Sequence, residues 1–563
     1  MSSDKASVEV PVESTEGGPL LEVDGLTVAF GPLRAVDGLS FRLAKGAALG
    51  LVGESGSGKS TVASALLGLH RGTGAEVGGT IRVAGTDVRQ ASEAELRRLR
   101  GAKAAMVFQD PLSSLDPYYA VGDQIAEVYR VHTRVSRRAA RARAVDVLDR
   151  VGIPDAVRRS RSRPHEFSGG MRQRALIAMA LACEPGLLIA DEPTTALDVT
   201  VQAQILDLLH TLREETGMGL LLVTHDVGVA AESVDDVLVM RHGRAVEYGP
   251  VAAVLGAPAQ AYTRELLAAV PRVDARRVRA DASGSGSGSD AGSGSGSGSE
   301  EVVLEAVGLR REFGRGKRAF AAVDDVSLTV RRGETLGIVG ESGSGKTTLG
   351  RMLVGLLEPT AGEVRYEGRV RSGAGPAVQM VFQDPVASLN PRRSVGESIA
   401  DPLRARGERD EGRVRGRVGE LLERVGLDPA HFGRYPHEFS GGQRQRVGIA
   451  RALAAEPRVI VCDEPVSALD VTTQAQVVAL LGELQRELGL ALVFVAHDLA
   501  VVRQVSDRVA VMKGGRIVES GPADQVYDNP SAPYTRQLLA AVPALDPETA
   551  TRRRTARQEL TRA

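Results

Sequence analysis

The sequence predicts a chain of two α/β domains, and three of its features support this fold class. First, one set of motifs occurs twice in the same order, for example LGLVGESGSGKST at 49–61 and LGIVGESGSGKTT at 336–348. Second, short Val, Ile and Leu runs such as 187–191 alternate with segments of helical length, which is typical of buried parallel strands. Third, a Gly/Ser stretch at Ser283–Ser299 separates the two copies. A chain of 563 residues is also too long for a single hydrophobic core.

The overall composition excludes several classes of protein. Lys and Arg total 70 and Asp and Glu total 71, so no net charge attracts the chain to nucleic acid. Its two cysteines cannot supply a metal cluster or a disulfide framework, and a reducing cytosol fits this usage. There is no run of 18 apolar residues and no N-terminal targeting pattern. We therefore expect that the chain itself does not span a membrane.

The repeat sets the expected domain boundaries. Gly53 and Gly340 are 287 positions apart, whereas Asp191 and Asp463 are 272 apart, so the second copy has lost residues in between. The Gly/Ser stretch cannot bury apolar surface and is predicted to be a flexible linker. The expected segments are a disordered N-terminal tail at 1–19, a first domain at 20–255 with an extension at 256–281, the linker at 282–300, a second domain at 301–527, and a second extension and tail at 528–563.

A phosphate-binding loop is predicted in each half. GESGSGK followed by Ser or Thr comes directly after an apolar strand pattern and before a helical one, which is the context of a P-loop. The glycines let backbone N–H groups wrap the phosphates, the lysine reaches the β- and γ-phosphates, and the hydroxyl binds Mg²⁺. An ordinary glycine-rich turn would not recur at two equivalent places. The expected nucleotide-binding residues are Gly53, Ser55, Gly56, Gly58, Lys59, Ser60 and Thr61 in the first half, and Gly340, Ser342, Gly343, Gly345, Lys346, Thr347 and Thr348 in the second.

Two carboxylates end an apolar strand in each half, in LLIADEP at 187–193 and VIVCDEP at 459–465. Acidic strand ends are often merely solvated, but an open α/β sheet binds its ligand at this edge and a P-loop accompanies each pair. We expect the aspartates, Asp191 and Asp463, to hold Mg²⁺. The glutamates that follow them are expected to orient or deprotonate the attacking water.

A third repeated motif starts a helix in each half, FSGGMRQ at 167–173 and FSGGQRQ at 439–445. An isolated Ser-Gly-Gly would be read as an ordinary N-cap. A serine and free backbone N–H groups at a helix start also form an anion site without a lysine, which suits the γ-phosphate of a nucleotide held elsewhere. The expected residues are Ser168, Gly169 and Gly170, and Ser440, Gly441, Gly442 and Gln443.

With these motifs, the chain resembles the ATPase subunits of ABC transporters over nearly its whole length outside the N-terminal tail and linker. The resemblance implies tandem P-loop NTPase domains, each with a RecA-like α/β core, an antiparallel β subdomain and a helical subdomain. The Ala-, Arg- and Glu-rich segment between Gln109 and Ser168 fits the helical subdomain. The resemblance also implies that the two halves pair within the chain and that each SGGQ signature completes the ATP site of the opposing domain.

The resemblance assigns further residues. Gln109 and Gln383 correspond to the Q-loop glutamine, which contacts nucleotide and Mg²⁺, and His225 and His497 to the switch histidine. The implied catalytic residues are Glu192, His225, Glu464 and His497, and the implied Mg²⁺ ligands are Ser60, Gln109, Asp191, Thr347, Gln383 and Asp463. The aromatic residue expected to stack on adenine is Phe30 in the first half; in the second half Phe313 and Phe320 remain alternatives.

A narrower resemblance concerns the helix YTRELLAAVP at 262–271 and its copy YTRQLLAAVP at 534–543. Alone, this pattern would be an ordinary amphipathic helix. It is similar to the C-terminal extension of dipeptide, oligopeptide and nickel importer ATPases. The resemblance implies ATP hydrolysis that energises import of peptides or related solutes, with two transmembrane permease subunits and an extracytoplasmic solute-binding protein. It places the chain as a peripheral protein at the cytoplasmic face of the cell membrane.

Two departures from the family pattern and two alternative functions accompany this interpretation. Met171 stands where the first signature should have glutamine, and equal or unequal turnover at the two ATP sites remain alternatives. Both halves keep the glutamate and the histidine, so we expect both sites to hydrolyse ATP. No cysteine follows the first YTR helix, which excludes an iron-sulfur site there. The alternatives are the same motor serving nickel or drug transport, or a soluble tandem ABC ATPase acting on ribosomes or DNA. A charged helical linker or zinc-ligating cysteines would favour the soluble class, and the sequence has neither.

Overall fold

A six-stranded sheet forms the centre of each half of the chain. The structure is a computed structural model that describes residues 18–195, 197–275, 301–314, 319–384, 388–467 and 469–562. They divide into one unit of residues up to Val270 together with those from Pro543 onwards, and a second unit of Pro271–Val542. The expected linker, and all but the last two residues of the expected N-terminal tail, lie outside the described residues.

The first unit contains two sheets. Its strands are β1 (Leu21–Phe30), β2 (Leu33–Leu43), β3 (Ala48–Val52), β4 (Glu76–Val83), β5 (Thr86–Asp87), β6 (Ala104–Val107), β7 (Leu187–Asp191), β8 (Gly219–Thr224), β9 (Asp236–Arg241) and β10 (Arg244–Pro250). An antiparallel sheet has the order β2-β1-β4-β5, and the central sheet has the order β10-β9-β3-β8-β7-β6. The central sheet is parallel except where β10 pairs with β9.

Helices cover the central sheet of the first unit. Those before Val270 are α1 (Lys59–Leu66), α2 (Glu93–Leu99), α3 (Pro111–Ser114), α4 (Val121–His132), α5 (Arg137–Arg150), α6 (Ala156–Arg159), α7 (Gly169–Leu181), α8 (Val199–Thr216), α9 (Val227–Ser233), α10 (Val251–Gly256) and α11 (Ala261–Ala269), with a 3₁₀ turn at Pro164–Glu166. The segment between Gln109 and Ser168 is helical, as expected.

The two faces of the central sheet are buried in different cores. On β3, Leu49 and Leu51 pack into a core shared with the antiparallel sheet, whereas Ala48 and Val52 pack into a core shared with the helices α4, α5 and α7. Successive side chains of a strand point to opposite faces, so a strand buried on both faces must be apolar throughout. This explains the uninterrupted Val, Ile and Leu runs, and the α/β fold with a β subdomain and a helical subdomain is confirmed.

The second unit repeats this plan. Its strands are β11 (Val302–Phe313), β12 (Phe320–Arg331), β13 (Thr335–Val339), β14 (Ala361–Tyr366), β15 (Arg369–Val370), β16 (Val378–Val381), β17 (Val459–Asp463), β18 (Ala491–Val495), β19 (Arg508–Lys513) and β20 (Arg516–Pro522). The antiparallel order is β12-β11-β14-β15 and the central order is β16-β17-β18-β13-β19-β20.

The remaining helices complete the chain. They are α12 (Lys346–Val354), α13 (Val395–Ala405), α14 (Glu411–Arg424), α15 (Gly441–Ala454), α16 (Val471–Leu488), α17 (Leu499–Val505), α18 (Ala523–Asp528), α19 (Pro533–Ala540) and α20 (Pro547–Arg562), with 3₁₀ turns at Pro429–Gly433 and Pro436–Glu438. The last of them, α20, belongs to the first unit. Among the described residues, no helix combines the length and the hydropathy needed to cross a bilayer.

The strand register places the predicted motifs at one edge of each sheet. In the first unit Val52 pairs with Thr224, and Asp191 pairs with Val223. The carboxyl ends of β3, β7 and β8 therefore meet at one edge, because these neighbouring strands run in the same direction. The phosphate loop follows β3, and His225 follows β8 directly.

The helices that follow His225 and His497, α9 and α17, pack on β3 and β13, and this packing generates a first prediction. A methyl group added at Gly337 in β13 would collide with Val502 and Ser506, whereas at Gly50 in β3 it would lie 3.1 Å from the Val234 side chain. Gly337→Ala is expected to destabilise the second unit by about 1–3 kcal/mol, and Gly50→Ala is expected to cost the first unit less. Urea unfolding followed by hydrogen-exchange mass spectrometry assigns the loss to each strand; equal losses at both positions would contradict this packing.

Candidate active site

The predicted phosphate loops adopt a conformation that requires glycine. Gly58 has φ 99° and Gly345 has φ 103°, a left-handed region that side chains disfavour. A Cβ at these positions would also collide with the carbonyl groups of Ala35 and Ala322. The other predicted loop residues lie between strand and helix or in the first helical turn: Gly53, Ser55, Gly56, Ser60 and Thr61 after β3, and Gly340, Ser342, Gly343, Thr347 and Thr348 after β13.

The loop lysines are buried inside these loops. Lys59 is 4% exposed, and its Nζ donates hydrogen bonds to the carbonyl oxygens of Gly53 at 2.7 Å and Glu54 at 2.8 Å. Lys346 makes the same two bonds to its own loop at the same lengths. The backbone thereby holds each ammonium group within the loop, a position suited to binding phosphate oxygens.

A hydroxyl from each loop reaches the aspartate at the end of the neighbouring strand. Ser60 Oγ donates to Asp191 Oδ1 at 2.9 Å, and Thr347 Oγ1 donates to Asp463 Oδ1 at 3.0 Å. Burial raises the pKa of Asp191 to about 6 and also raises the pKa of Asp463, while the hydroxyl bonds oppose this effect. Hydroxyl and carboxylate oxygens are ligands that Mg²⁺ prefers, so this donor set fits that ion.

Three side chains hold the glutamate that follows Asp191. Gln109 Nε2 donates to Glu192 Oε2 at 2.7 Å, and Thr195 Oγ1 donates to the same oxygen at 3.0 Å. His225 Nδ1 lies 3.1 Å from Glu192 Oε1. Both carboxylate oxygens are therefore engaged, and three of the predicted residues meet at one point.

The second half reproduces this cluster with one difference. Gln383 Nε2 donates to Glu464 Oε2 at 2.7 Å, and His497 Nδ1 lies 3.2 Å from the same oxygen. The hydroxyl of Ser467, which corresponds to Thr195, donates to the backbone carbonyl of Glu464 and not to its carboxylate. In the sequence, Thr195 and Ser467 begin the stretches 195–198 and 467–470, which resemble the D-loop of the ABC ATPases. That resemblance did not predict a contact between Thr195 and the glutamate three residues before it.

The histidines favour the ionised form of these glutamates. Burial would raise the pKa of Glu192, but the hydrogen bond and the charge of His225 outweigh it and lower the pKa. The bond to Glu192 in turn raises the pKa of His225 against the effect of burial. The pKa values of Glu464 and His497 shift in the same directions. Each glutamate is therefore held as a carboxylate, the form that accepts a proton.

Both glutamates also sit on a strained backbone. Glu192 has φ 46° and Glu464 has φ 45°, which is left-handed and uncommon for a side chain of this size. The N–H group of Glu192 donates to the carbonyl of Val223 at 2.9 Å and fixes the turn. Glu184 and Glu456 share this conformation at the opposite end of the sheet, with φ 52° and 51°. The left-handed backbone therefore sets the direction of the side chain, but it also occurs outside the candidate site and does not identify that site by itself.

The signature residues lie at the start of another helix in each half. Ser168 caps α7 and accepts a hydrogen bond from the N–H of Met171 at 3.3 Å. Ser440 caps α15 in the same way, and Gln443 Oε1 accepts a reciprocal bond from the Ser440 N–H at 3.0 Å. The second half thus has a complete capping box. Methionine has no oxygen with which to complete it, and Met171 packs instead against the helical core.

Close packing explains why glycine follows each signature serine. A Cβ at Gly170 would collide with Val201 of α8, and a Cβ at Gly442 would collide with Thr473 of α16. The preceding glycines, Gly169 and Gly441, would meet only ordinary contacts with leucines. The second glycine of the pair therefore allows the two helices to approach each other.

The candidate adenine-stacking aromatics lie at the ends of strands in the β subdomain. Phe30 ends β1, is 38% exposed and contacts the His70 ring edge-on, with centroids 5.4 Å apart. Phe313 ends β11, and Phe320 opposite it begins β12, with ring centroids 5.9 Å apart. By its place at the end of the first strand, Phe313 corresponds to Phe30, although adenine stacking by any of these rings stays a prediction.

The chain matches two protein families, and each match occurs twice. Residues 36–195 and 323–467 match the ABC transporter family. Residues 246–292 and 518–563 match the C-terminal region of oligopeptide/dipeptide transporters. The chain belongs to the ABC transporter family. It is accordingly an ATP-binding, ATP-hydrolysing transporter subunit, and subunits of this kind act with membrane permeases.

Relatives of this ABC ATPase include the glutathione import ATP-binding protein GsiA of Salmonella choleraesuis, which is 48% identical over 561 residues, 94% of this chain and 90% of the relative. GsiA of Escherichia coli O6:H1 is 46% identical over 572 residues, 95% of this chain and 91% of the relative. Among solved structures, cbiO1 from Clostridium perfringens, part of the ABC transporter complex cbiONQ, matches with 30% identity and a TM-score of 0.37, over 41% of this chain and 92% of that one.

The incomplete cap of α7 generates a second prediction. Met171→Gln is expected to add the reciprocal bond seen at Gln443 and to stabilise the first turn of α7 by about 0.5–1.5 kcal/mol. Gln443→Met is expected to weaken α15 by a similar amount. Hydrogen-exchange mass spectrometry of both helix starts measures the effect. Met171→Leu serves as the control, because it keeps an apolar side chain without an acceptor; equal protection with Leu and Gln would contradict the prediction.

Proposed function

We propose that this ABC ATPase powers the import of peptide-like solutes, with glutathione and small peptides as the first candidates. The observation that carries the proposal is the oligopeptide/dipeptide transporter C-terminal region, which occurs in both halves beside an intact Gln–Glu–His cluster. The relatives named above, whose own names state glutathione import, support the same class of solute. These two observations favour import of peptide-like solutes over transport of nickel or drugs. They also favour transport over a role on ribosomes or DNA.

The phosphate loop and its neighbours would bind the nucleotide. In the first half, the loop N–H groups and Lys59 would hold the phosphates, and Ser60, Asp191 and Gln109 would hold Mg²⁺. When bound, Mg²⁺ neutralises charge on the phosphate oxygens. Phe30 would stack on adenine. The corresponding residues of the second half are Lys346 for the phosphates, Thr347, Asp463 and Gln383 for Mg²⁺, and Phe313 for adenine.

The glutamate at the end of each central strand would activate the attacking water. Glu192 is held as a carboxylate and accepts hydrogen bonds from Gln109 and Thr195, which fix its orientation. His225 would hold that orientation and share the proton that the carboxylate takes up. Glu464 and His497 would do the same in the second half. Preorganised groups of this kind lower the barrier because they need not reorient during the reaction.

The proposed partners are those that the importer class requires. Two transmembrane permease subunits would carry the solute pathway, and an extracytoplasmic protein would deliver the solute. The ATPase would then lie at the cytoplasmic face of the membrane, held there by the permeases. The solute itself would be selected by these partners.

A third prediction concerns catalysis. Glu192→Gln and Glu464→Gln in one chain are expected to preserve ATP binding and to slow hydrolysis by about a hundredfold or more, because an amide cannot accept the proton. Steady-state ATPase rates and nucleotide-binding titrations measure the two effects. Glu184→Gln and Glu456→Gln are matched controls, because these glutamates share the left-handed backbone but lie at the other end of the sheet. Near-normal turnover in the first double variant would refute the assignment.

A fourth prediction concerns the solute. Proteoliposomes that contain the chain with its cognate permeases and binding protein are expected to accumulate labelled glutathione or a dipeptide when ATP is supplied on the side of the ATPase. The chain with both glutamates changed to Gln provides the transport-deficient control. Uptake of nickel without uptake of either peptide would overturn the proposed solute class while leaving the ATPase assignment intact.

A further inference from the structure

Residues 543–562, the terminal segment, pack into the first unit, although the second half separates them from the rest of that unit in sequence. Residues from Pro543 onwards belong to that unit, and helix α20 contacts α9. On α20, Arg557 Nη2 lies 3.1 Å from Asp207 Oδ1 of α8 and 3.4 Å from Glu232 Oε2 of α9. The Arg557 side chain is 10% exposed and that of Glu232 is 6% exposed. A buried arginine thus links α20 to two helices of the first half.

Burial makes Glu232 dependent on this arginine. Burial raises the pKa of Glu232 to about 7, although the charge and hydrogen bond of Arg557 and the N–H of Ala544 oppose the rise. Without Arg557 the pKa of Glu232 would rise further, and the buried carboxyl group would lose both its charged partner and a hydrogen bond, which destabilises its surroundings. Both of the stabilising groups, Arg557 and the Ala544 backbone, come from the terminal segment. The position of α9 is therefore sensitive to that segment.

Apolar contacts fix the start of the same segment. Pro543 lies so close to Gly228 that a Cβ on this glycine would be 3.0 Å from the proline ring. Leu545 packs against the core that includes Val227 and Val229 of α9. The terminal segment thus contacts both the first turn and the last turn of α9.

Helix α9 begins immediately after the candidate switch histidine. Asp226 follows His225 and caps α9, accepting hydrogen bonds from the N–H groups of Gly228 at 2.8 Å and Val229 at 3.2 Å. A shift of the first turn of α9 would therefore move Asp226 and the histidine next to it. Through this connection the terminal segment can influence the bond between His225 and Glu192.

The equivalent helix of the second unit has different partners. In the repeat, Gln504 of α17 corresponds to Glu232, and Arg503 corresponds to Ala231. Arg503 Nη2 lies 2.6 Å from Asp528 Oδ1, and its Nη1 donates to the carbonyl of Val273. The helices α9 and α17 thus each contact residues that follow a YTR helix. For α9 the arginine lies in the contacting segment, whereas for α17 it lies on the helix itself. Within the part of the chain that the structure describes, the ion pair of Arg557 with Asp207 and Glu232 has no equivalent in the second unit.

We propose that Arg557 is a positioning residue for the first ATP site. By linking Glu232 of α9 to Asp207 of α8, it fixes His225 against Glu192, so that hydrolysis in the first half depends on the segment that follows the second half. The role of His225 in this statement rests on the proposed function above. The consequence for α9 itself rests only on the contacts described here.

The test uses the full chain with Arg557→Ala, and Arg552→Ala as the matched control, because Arg552 lies on the same helix and is 76% exposed. Arg557→Ala is expected to speed amide exchange in residues 226–233 by about tenfold while exchange in α17 is unchanged. The kcat for ATP is expected to fall by up to about twofold, the share of one site in two, with KM nearly constant. Arg557→Lys is expected to recover part of both losses, and Arg552→Ala to change neither.

Two outcomes separate this inference from the proposed function. Unchanged exchange and kcat in Arg557→Ala, together with the expected loss in the glutamate variants, would overturn the role of Arg557 alone. Normal turnover in the glutamate variants would overturn the catalytic assignment, whatever Arg557→Ala does to exchange in α9. A double variant, Glu232→Gln with Arg557→Gln, keeps the inference testable if Arg557→Ala folds poorly. It removes both charges and is expected to restore folding without restoring kcat; full recovery of kcat would contradict the inference.

Discussion

One carboxylate connects the separate parts of each half: Glu192 in the first and Glu464 in the second. Glu192 lies at the end of a buried strand, on a left-handed backbone, and receives hydrogen bonds from groups that follow the two neighbouring strands. This convergence is possible only because neighbouring parallel strands end at the same edge of the sheet. A displacement of the glutamine, the histidine or the strand therefore alters the same two oxygens. The parallel pairing of β6, β7 and β8 keeps these strand ends in register.

Duplication preserved this arrangement but changed its details. Thr195 holds the first carboxylate, whereas Ser467 bonds to the backbone of the second. Met171 leaves the first signature helix with half of the cap that Gln443 completes in the second. None of these changes removes a group that the proposed chemistry needs. The two halves are thus alike in chemistry and unequal in how firmly their side chains are held.

The sequence predicted the parts of the site that depend on local pattern. The residue pattern predicted the phosphate loops and the strand-end carboxylates, whereas the histidines and the Q-loop glutamines were predicted through the resemblance to ABC transporter ATPases. The contact of Thr195 with Glu192 depends on a left-handed turn, which residue spacing does not predict. The correspondence of Phe313 to Phe30 depends on where the strands end, which spacing does not predict either. The packing of the terminal segment into the first unit depends on contacts across more than half the chain. In the sequence, this packing is indicated only by a difference between the two copies: the first has Glu232 where the second has Gln504.

The placement of the terminal segment also bears on how the chain is made. Residues up to Val270 and residues from Pro543 onwards form one unit, with the whole second half between them in sequence. At ribosomal rates of about 5–20 residues per second, the second part emerges roughly 15 to 55 seconds after the first. During that interval the nascent first half lacks Pro543 and Leu545, which pack at α9, and Arg557, which pairs with Glu232. Its folding is completed only after residues 543–562 have been synthesised, which makes the maturation of the first ATP site depend on prior synthesis of the whole second half.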